Sequence, residues 1–463
     1  MPIYSKRLLH FPLPGRSNEH KEHITHLLLE ALRSTVEELP FLAGSVVPFS
    51  KEQPWLRDLR PHGAAYLEVK DLSREINFLN LRKACFSSSL LDAEQLCPFP
   101  EPVYVRDGPV DVCRLRANFV DGGLILVISI VHTVCDGRGI SEVLKIFAEK
   151  LRKAQTGELA MHSTGHEDVQ KHIYSFDRNS VLAGKGVPGA IENHPCWTAS
   201  PVKSQGGFAG TKTLCTNFHI SSESLCTLKQ VASLSSSDST SASTDGQQTH
   251  SSDQATTIST HDAIAALIWR SVMLARHRAD ILSDRKIIHF SQAVDCRDRL
   301  NLPKPYFGNA IYGVKTSISL PDLAPATDRP DALQISGLQA AARAIRVEVN
   351  GATADKFRDL LGFVERTDMQ MLTRLSVVED LSVGSMLLVS YFWFGMHELD
   401  FGEALGGKIE AFRLPSRGLV PGMPVVLPRL PDGSCEFVVN EQEEVMNFLA
   451  KDDIFQRFAR EQC

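Results

Sequence analysis

The chain alternates between stretches whose apolar residues recur every three or four positions and stretches where they recur every second position. In SNEHKEHITHLLLEALRSTVEELP, Ile24, Leu27, Leu28, Ala31, Leu32, Val36 and Leu39 fall on one helical face, and Pro40 closes the helix because it has no amide hydrogen to donate. FLAGSVVPF follows, and GAAYLEVKD predicts a strand. In VCRLRANFVDGGLILVISIVH, Cys113, Leu115, Ala117 and Phe119 alternate with Arg114, Arg116 and Asn118, a strand with one wet face that ends at Asp121, Gly122 and Gly123. Beyond that turn LILVISIV has Ser129 as its single polar residue, the pattern of a strand covered on both faces. SEVLKIFAEKL then returns to helical spacing with Val143, Leu144, Phe147, Ala148 and Leu151. His132 therefore falls between the exit of a central strand and a helix.

Further on, PCWTASPVKSQGGFAGTK at 195–212 is rich in proline, glycine and small polar residues and predicts a crossover between domains. The expected division is a first domain over 1–200, a linker over 201–212 and a second domain over 213–463. Residues 232–257, ASLSSSDSTSASTDGQQTHSSDQATT, hold too little apolar surface to order themselves and are expected to form a disordered, dispensable loop. ISTHDAIAALIWRSVMLARHRA opens with the capping residues Ser259 and Thr260 and puts Ile264, Leu267, Ile268, Val272 and Ala275 on one face. PVVLPRLPDGSCEFVVN predicts two strands joined at Pro431, Asp432 and Gly433. With neither a repeat nor a GxGxxG turn, the pattern predicts α/β layers with mixed sheets rather than a Rossmann domain.

Composition narrows the functional classes. A chain of 463 residues with 43% hydrophobic content exceeds one ordinary core and predicts two domains. Its net charge of -6 includes no block of like charges, so no nucleic-acid partner and no polybasic membrane anchor are expected. MPIYSKRLLHFPLPG has prolines where a signal peptide needs a continuous apolar core, and no apolar run approaches the roughly 18–20 residues needed to span a bilayer. The expectation is a soluble, cytoplasmic protein without a membrane partner. Ten cysteines without a CxxC pair predict reduced, mostly buried thiols, and Cys463 is not the fourth residue from the end that prenylation requires.

The candidate chemistry lies in His132-Thr-Val-Cys-Asp136-Gly137. A neutral imidazole accepts a proton from a hydroxyl near neutral pH, and glycines beside a strand end allow close approach of a ligand or another backbone. On spacing alone, an ordinary turn histidine stays open beside this general base. Were 132–136 helical, Asp136 would orient the ring; in a turn it becomes a structural anion for an arginine. A third ligand with HExxH or HxH spacing is absent, so no metal is expected, and Cys135 does not form a thiol-protease pattern with His132.

In context the motif resembles the HxxxDG signature of the BAHD acyltransferase superfamily, coenzyme A-dependent enzymes of plants and fungi. LPFLAG at 39–44 resembles the family's YPLAG segment, and STHDAIAALIWR at 259–270 its STFDVLAALIWR helix. AVDCRDRLNLPKPYFGN at 293–309 is similar to its VDxRxRL and YFGN block, and ELDFGEALGG at 398–407 stands where the family has DFGWG. Asp400, Phe401 and Gly402 match, whereas Glu403 and Ala404 replace tryptophan and glycine, a departure that points to a fungal, trichothecene-acetyltransferase-like branch.

The resemblance implies two chloramphenicol-acetyltransferase-like α/β domains with mixed sheets and a tunnel between them. His132 would be the catalytic base at mid-tunnel. Asp136 with Gly137, and Asp400 with Phe401 and Gly402, would be structural. Asp136 would pair with Arg297 or Arg299 and Asp400 with the other arginine. Ser390 and Tyr391 align with a serine–tryptophan pair, which makes Ser390 a candidate donor near the thioester. An acyl-CoA, acetyl-CoA by analogy, would be the co-substrate with no permanently bound cofactor, a small-molecule alcohol the acceptor, and the enzyme a monomer. The rivals are a carrier-dependent condensation domain, which usually carries a second histidine where this chain has Val131, and a non-catalytic small-molecule binder.

Overall fold

The computed structural model describes the chain apart from residues 1–3, 14, 16, 49–56, 62–64, 100–108, 162–180, 183, 188, 200–211, 235–256, 283–284, 333–334, 367–372, 377–379, 382, 417–418 and 463. Two sheets organise it. The strands that build them are β1 (Tyr4–Pro12), β2 (Tyr66–Asp71), β3 (Cys113–Val120), β4 (Gly123–Val131), β5 (Thr213–Ile220), β6 (Ile287–Asp295), β7 (Ile311–Ser319), β8 (Ser385–Ser390), β9 (Ala411–Arg413), β10 (Val425–Val426), β11 (Cys435–Gln442) and β12 (Arg460–Glu461).

The first sheet runs β9-β1-β4-β3-β2, antiparallel except between β2 and β3. All nine residues of β4 are buried, as the unbroken apolar pattern requires of a central strand. In β3, Arg114 and Arg116 reach the surface to pair with Asp111 and Glu68, while Asn118 is buried and donates to Leu96 and Ile125 carbonyls. The wet face is thus narrower than simple alternation predicts, because the Asn118 Nδ2 finds two backbone acceptors in the interior. Helices α1 (Asn18–Glu38) and α2 (Gly137–Thr156) lay their apolar stripes on one core with this sheet.

The second sheet runs β7-β6-β8-β10-β11-β5-β12, with parallel pairs at β6–β8 and β8–β10. It is covered by helices α3 (Ser222–Ser233), α4 (Thr260–Arg278) and α5 (Ser336–Gly351). Ser259 and Asp262 form a reciprocal capping box at the start of α4, which fixes that boundary where the sequence put it. The mixed-sheet α/β architecture is the expected one.

The division between domains differs in one respect from that read in sequence. Strand β9, deep in the second half of the chain, pairs with β1 through Leu8–Arg413, Leu9–Phe412 and His10–Ala411 and so completes the first sheet. A three-residue strand whose partner lies some 400 positions away leaves no local periodicity to read. The linker 201–212 lies, save for Lys212, outside the described residues. So does the Ser/Thr-rich loop over 235–256, while its predicted first residues, Ala232 and Ser233, belong to α3. Eight cysteines are free thiols, six of them buried, but Cys85 is disulfide-bonded, contrary to the uniform reduced state expected.

Candidate active site

His132 is the first residue beyond β4. Val134 and Cys135 both donate to the carbonyl of Val131, which turns the chain sharply, and Asp136 then becomes the N-cap of α2 with extended backbone angles. Its Oδ1 accepts from the Gly139 amide at 2.8 Å, meeting one of the donors every helix start leaves open. The motif is therefore strand, turn and capped helix, and Asp136 points away from an orienting role at the imidazole.

The segment between β6 and β7 wraps this turn from the second sheet. Arg297 Nη2 donates to Asp136 Oδ1 at 2.8 Å and to the Gly308 carbonyl at 2.6 Å; its Nε reaches the Tyr306 carbonyl and its Nη1 reaches Asp295. Burial works against the Arg297 charge, but the hydrogen bond and attraction from Asp136, then Asp295, raise its pKa above the ordinary value. Asp136 Oδ2 accepts from the Ala310 amide. Asn309 Nδ2 clamps the carbonyls of His132 and Thr133 at 3.0 and 3.1 Å. Gly139 lets the two segments meet, since a Cβ there would lie 2.2 Å from the Phe307 carbonyl oxygen.

The imidazole of His132 is half-buried, and its pKa is lowered from 6.5, first by burial and also by repulsion from Arg7. Hydrogen bonds with its own backbone and with Asn309, and attraction from Asp136, oppose that without reversing it. A ring poised this way is neutral at pH 7 and able to take a proton.

Of the other predicted residues, Arg299 turns elsewhere and donates to the Ala352 carbonyl. Asp400 pairs with neither arginine. It is exposed, and its Oδ1 accepts from the Gly402 amide at 2.9 Å inside its own loop, so the expected second arginine–aspartate pair is absent. Arg297 is committed to Asp136 and Arg299 to a backbone carbonyl, and among the described residues Asp400 has no ion pair. Phe401 is fully buried, edge-on to Phe11. The loop is held by Gln155 on α2, which donates to the Phe401 carbonyl and accepts from the Ala404 amide. Glu403–Leu405 forms a single helical turn, so the replacement of tryptophan and glycine leaves a defined local backbone.

Ser390 ends β8 and accepts from the Phe392 amide at 3.3 Å. Tyr391 is buried beneath the motif, with the Arg7 guanidinium 5.2 Å from its ring centre. The loop after it reaches α2 through Ser141 Oγ and the Phe394 carbonyl. Sequence reasoning did not single out Arg7, Asn309 or Gln155. Asn309 lay in the quoted YFGN block, and Arg7 is a charge at a position whose strand parity, shared with Leu9 and Phe11, is that of the core face. Gln155 left no signal. Among the described residues no group of three or more His, Cys, Asp or Glu side chains gathers as a metal site.

Known proteins resemble this chain in sequence and in fold. The Transferase family model matches residues 116–405, and a trichothecene 3-O-acetyltransferase-like N-terminal domain matches residues 3–150. The enoyl-CoA isomerase/hydratase claC of Penicillium crustosum is 47% identical over 99% of this chain, which spans half of that relative's length. The acyltransferase BOA11 of Botryotinia fuckeliana is 26% identical, with 97% of this chain and 92% of that protein covered. Among solved structures, F. sporotrichioides TRI101 complexed with coenzyme A and T-2 has a TM-score of 0.79 at 22% identity, covering 100% of this chain and 96% of its own. Vinorine synthase follows the same fold at a TM-score of 0.59 and 15% identity, covering 96% and 88%.

Proposed function

The chain belongs to the transferase family, as an acyltransferase of the fungal trichothecene 3-O-acetyltransferase-like branch of BAHD enzymes, and on that premise we propose that His132 is its catalytic base. The reaction is acyl-CoA-dependent O-acylation of a secondary-metabolite alcohol. The observation that carries this reading is the neutral, half-buried His132 held at a turn that two domains clamp through Asp136–Arg297 and Asn309. His132 takes the proton from the substrate hydroxyl, and the alkoxide oxygen forms a bond to the thioester carbonyl carbon. The tetrahedral oxyanion collapses, the C–S bond breaks, and the CoA thiolate leaves with the proton that His132 carried. Ser390 is the nominated donor to the oxyanion, a role typically worth about 10²–10³ in rate.

Acetyl-CoA is the proposed donor and a terpenoid, meroterpenoid or polyketide alcohol the acceptor, each approaching from one mouth of a tunnel between the domains. Support comes from the complexes of TRI101 with coenzyme A and T-2 and with coenzyme A and deoxynivalenol. The proposed enzyme is a cytoplasmic monomer whose two substrates are its only small-molecule partners. Within the described residues no helix is long and apolar enough to cross a membrane. The isomerase/hydratase activity in the first relative's name is said of a chain that this one spans only by half, whereas the transferase model lies on this chain's own residues 116–405. Acyl transfer therefore takes precedence. The test is CoA release from acetyl-CoA over a panel of such alcohols, with a carrier-bound acyl donor as the control for condensation chemistry; turnover with the carrier-bound donor alone would contradict the reading.

A further inference from the structure

Five arginines are buried among the described residues, and four of them meet a carboxylate: Arg270 with Asp452, Arg276 with Glu441, Arg297 with Asp136 and Arg413 with Glu436. Arg7 is the exception. It is fully buried on β1, yet among the described residues no carboxylate lies within ion-pair distance of it. Nη1 donates to Ser5 Oγ at 3.1 Å, Nη2 reaches the Gly137 carbonyl only at 3.5 Å, and Nε has no partner. Its flat face lies over Tyr391. Burying a cation without an anion is strongly unfavourable, so a fold with no use for the charge would be better served by an apolar side chain of similar volume.

The position of Arg7 suggests that use. Arg7 pairs across the ladder with Ile128, and its guanidinium reaches toward Ser5 and Gly137, under the turn that starts at His132. Among the described residues, the charged groups that act on His132 are Arg7 from β1 and Asp136 from its own turn, with Arg297 behind Asp136, while Tyr391 from the loop after β8, Cys135 and Asp136 surround Arg7. Asp136 favours a protonated ring, but its charge is already matched by Arg297. Arg7 is left as the cation without an ion pair among the described residues.

We propose that Arg7 is a positioning residue: a fixed cation beneath the HxxxDG turn that holds the His132 imidazole in its neutral, proton-accepting form. This rests on the reading of His132 as the base. Its consequence is a base that stays competent in mildly acidic solution, where an ordinary imidazole has begun to take up protons.

The experiment follows the ring C–H resonances of ¹³C-histidine-labelled protein through a pH titration, with the His132 signal identified by its loss in H132Q. In R7M the melting temperature should hold or rise, because the burdened cation is gone, and the His132 midpoint should rise by about half a pH unit or more. R7K, which keeps the charge, should restore a midpoint close to the parent's. An unchanged midpoint in folded R7M would overturn the proposal. So would an R7M chain that unfolds or melts well below the parent, which would assign Arg7 to the fold, or an R7K midpoint that follows R7M. The titration reads no turnover, so failure of the base assignment itself, seen as an active H132A, stays distinguishable from failure here.

Discussion

Helix α2 has a motif at each end, and the two aspartates that mark them do different work. At its N-terminus Asp136 caps the helix, pairs with Arg297 and accepts from the Ala310 amide, so one buried carboxylate ties the first sheet to the segment between β6 and β7 of the second. About 28 Å away along the helix, at 1.5 Å per residue, Gln155 holds the loop of Asp400, Phe401 and Gly402. There the aspartate is exposed and fastens only its own loop, and the contact that crosses to α2 is made by an amide side chain. Aspartates of similar motif standing thus differ by burial and by what they bridge. The end that bears His132 joins the two sheets through charge; the distal end is braced through neutral hydrogen bonds.

This contrast can be broken by substitution, and the largest effect is expected at Asp136. Asp136→Ala leaves the buried Arg297 with the exposed Asp295 as its remaining carboxylate and removes a helix cap, which should cost about 3–5 kcal/mol and most of the soluble yield. A chemical denaturation curve close to the parent's would show that the joint does not depend on this pair. Gln155→Ala should cost about 1–3 kcal/mol, since it leaves the Phe401 carbonyl and Ala404 amide without their partner. Asp400→Ala loses one exposed hydrogen bond and should cost about 1 kcal/mol or less, with soluble yield kept. If Asp400→Ala proved as damaging as Asp136→Ala, the distinction drawn between the two ends would be wrong.

Acid sharpens the same comparison. His132, and elsewhere His10, His261 and His397, all have pKa values lowered chiefly by burial, His10 to about 3. The unfolded chain takes up these protons near pH 6.5, whereas the folded chain does so only at lower pH. Between those values the unfolded state binds more protons, so stability is at its full value above about pH 6.5 and declines as the pH falls. Melting temperatures measured from pH 8 to pH 5 should therefore drop below about 6.5. Turnover should fall along an acid limb centred below the ordinary histidine value, and a limb centred above 6.5 would contradict the environment described for His132.

The uneven legibility of the molecule has a physical basis. Strand β4 and helix α2 could be read directly because each buries a continuous apolar pattern, and His132 could be placed between them for the same reason. The start of α4 was legible from Ser259, the N-cap, although the reciprocal contact with Asp262 three residues on was not read from the sequence. What stayed hidden depends on partners far along the chain. The pairing of β9 with β1, the choice of Arg297 over Arg299 for Asp136, and the hold of Gln155 on the DFG loop are settled by packing across sheets, which no spacing encodes. Asp400 was misread because its motif was expected to repeat the chemistry of the first one, while its exposure removes any need for a counter-charge.

The central claim is that His132 removes the proton from the acceptor hydroxyl. It is tested most directly by single-turnover transfer from radiolabelled acetyl-CoA to an accepted alcohol, comparing parent and His132→Ala proteins of equal melting temperature. The account predicts a fall in rate of about 10²–10⁴ in the variant. Transfer at a rate near the parent's would contradict it.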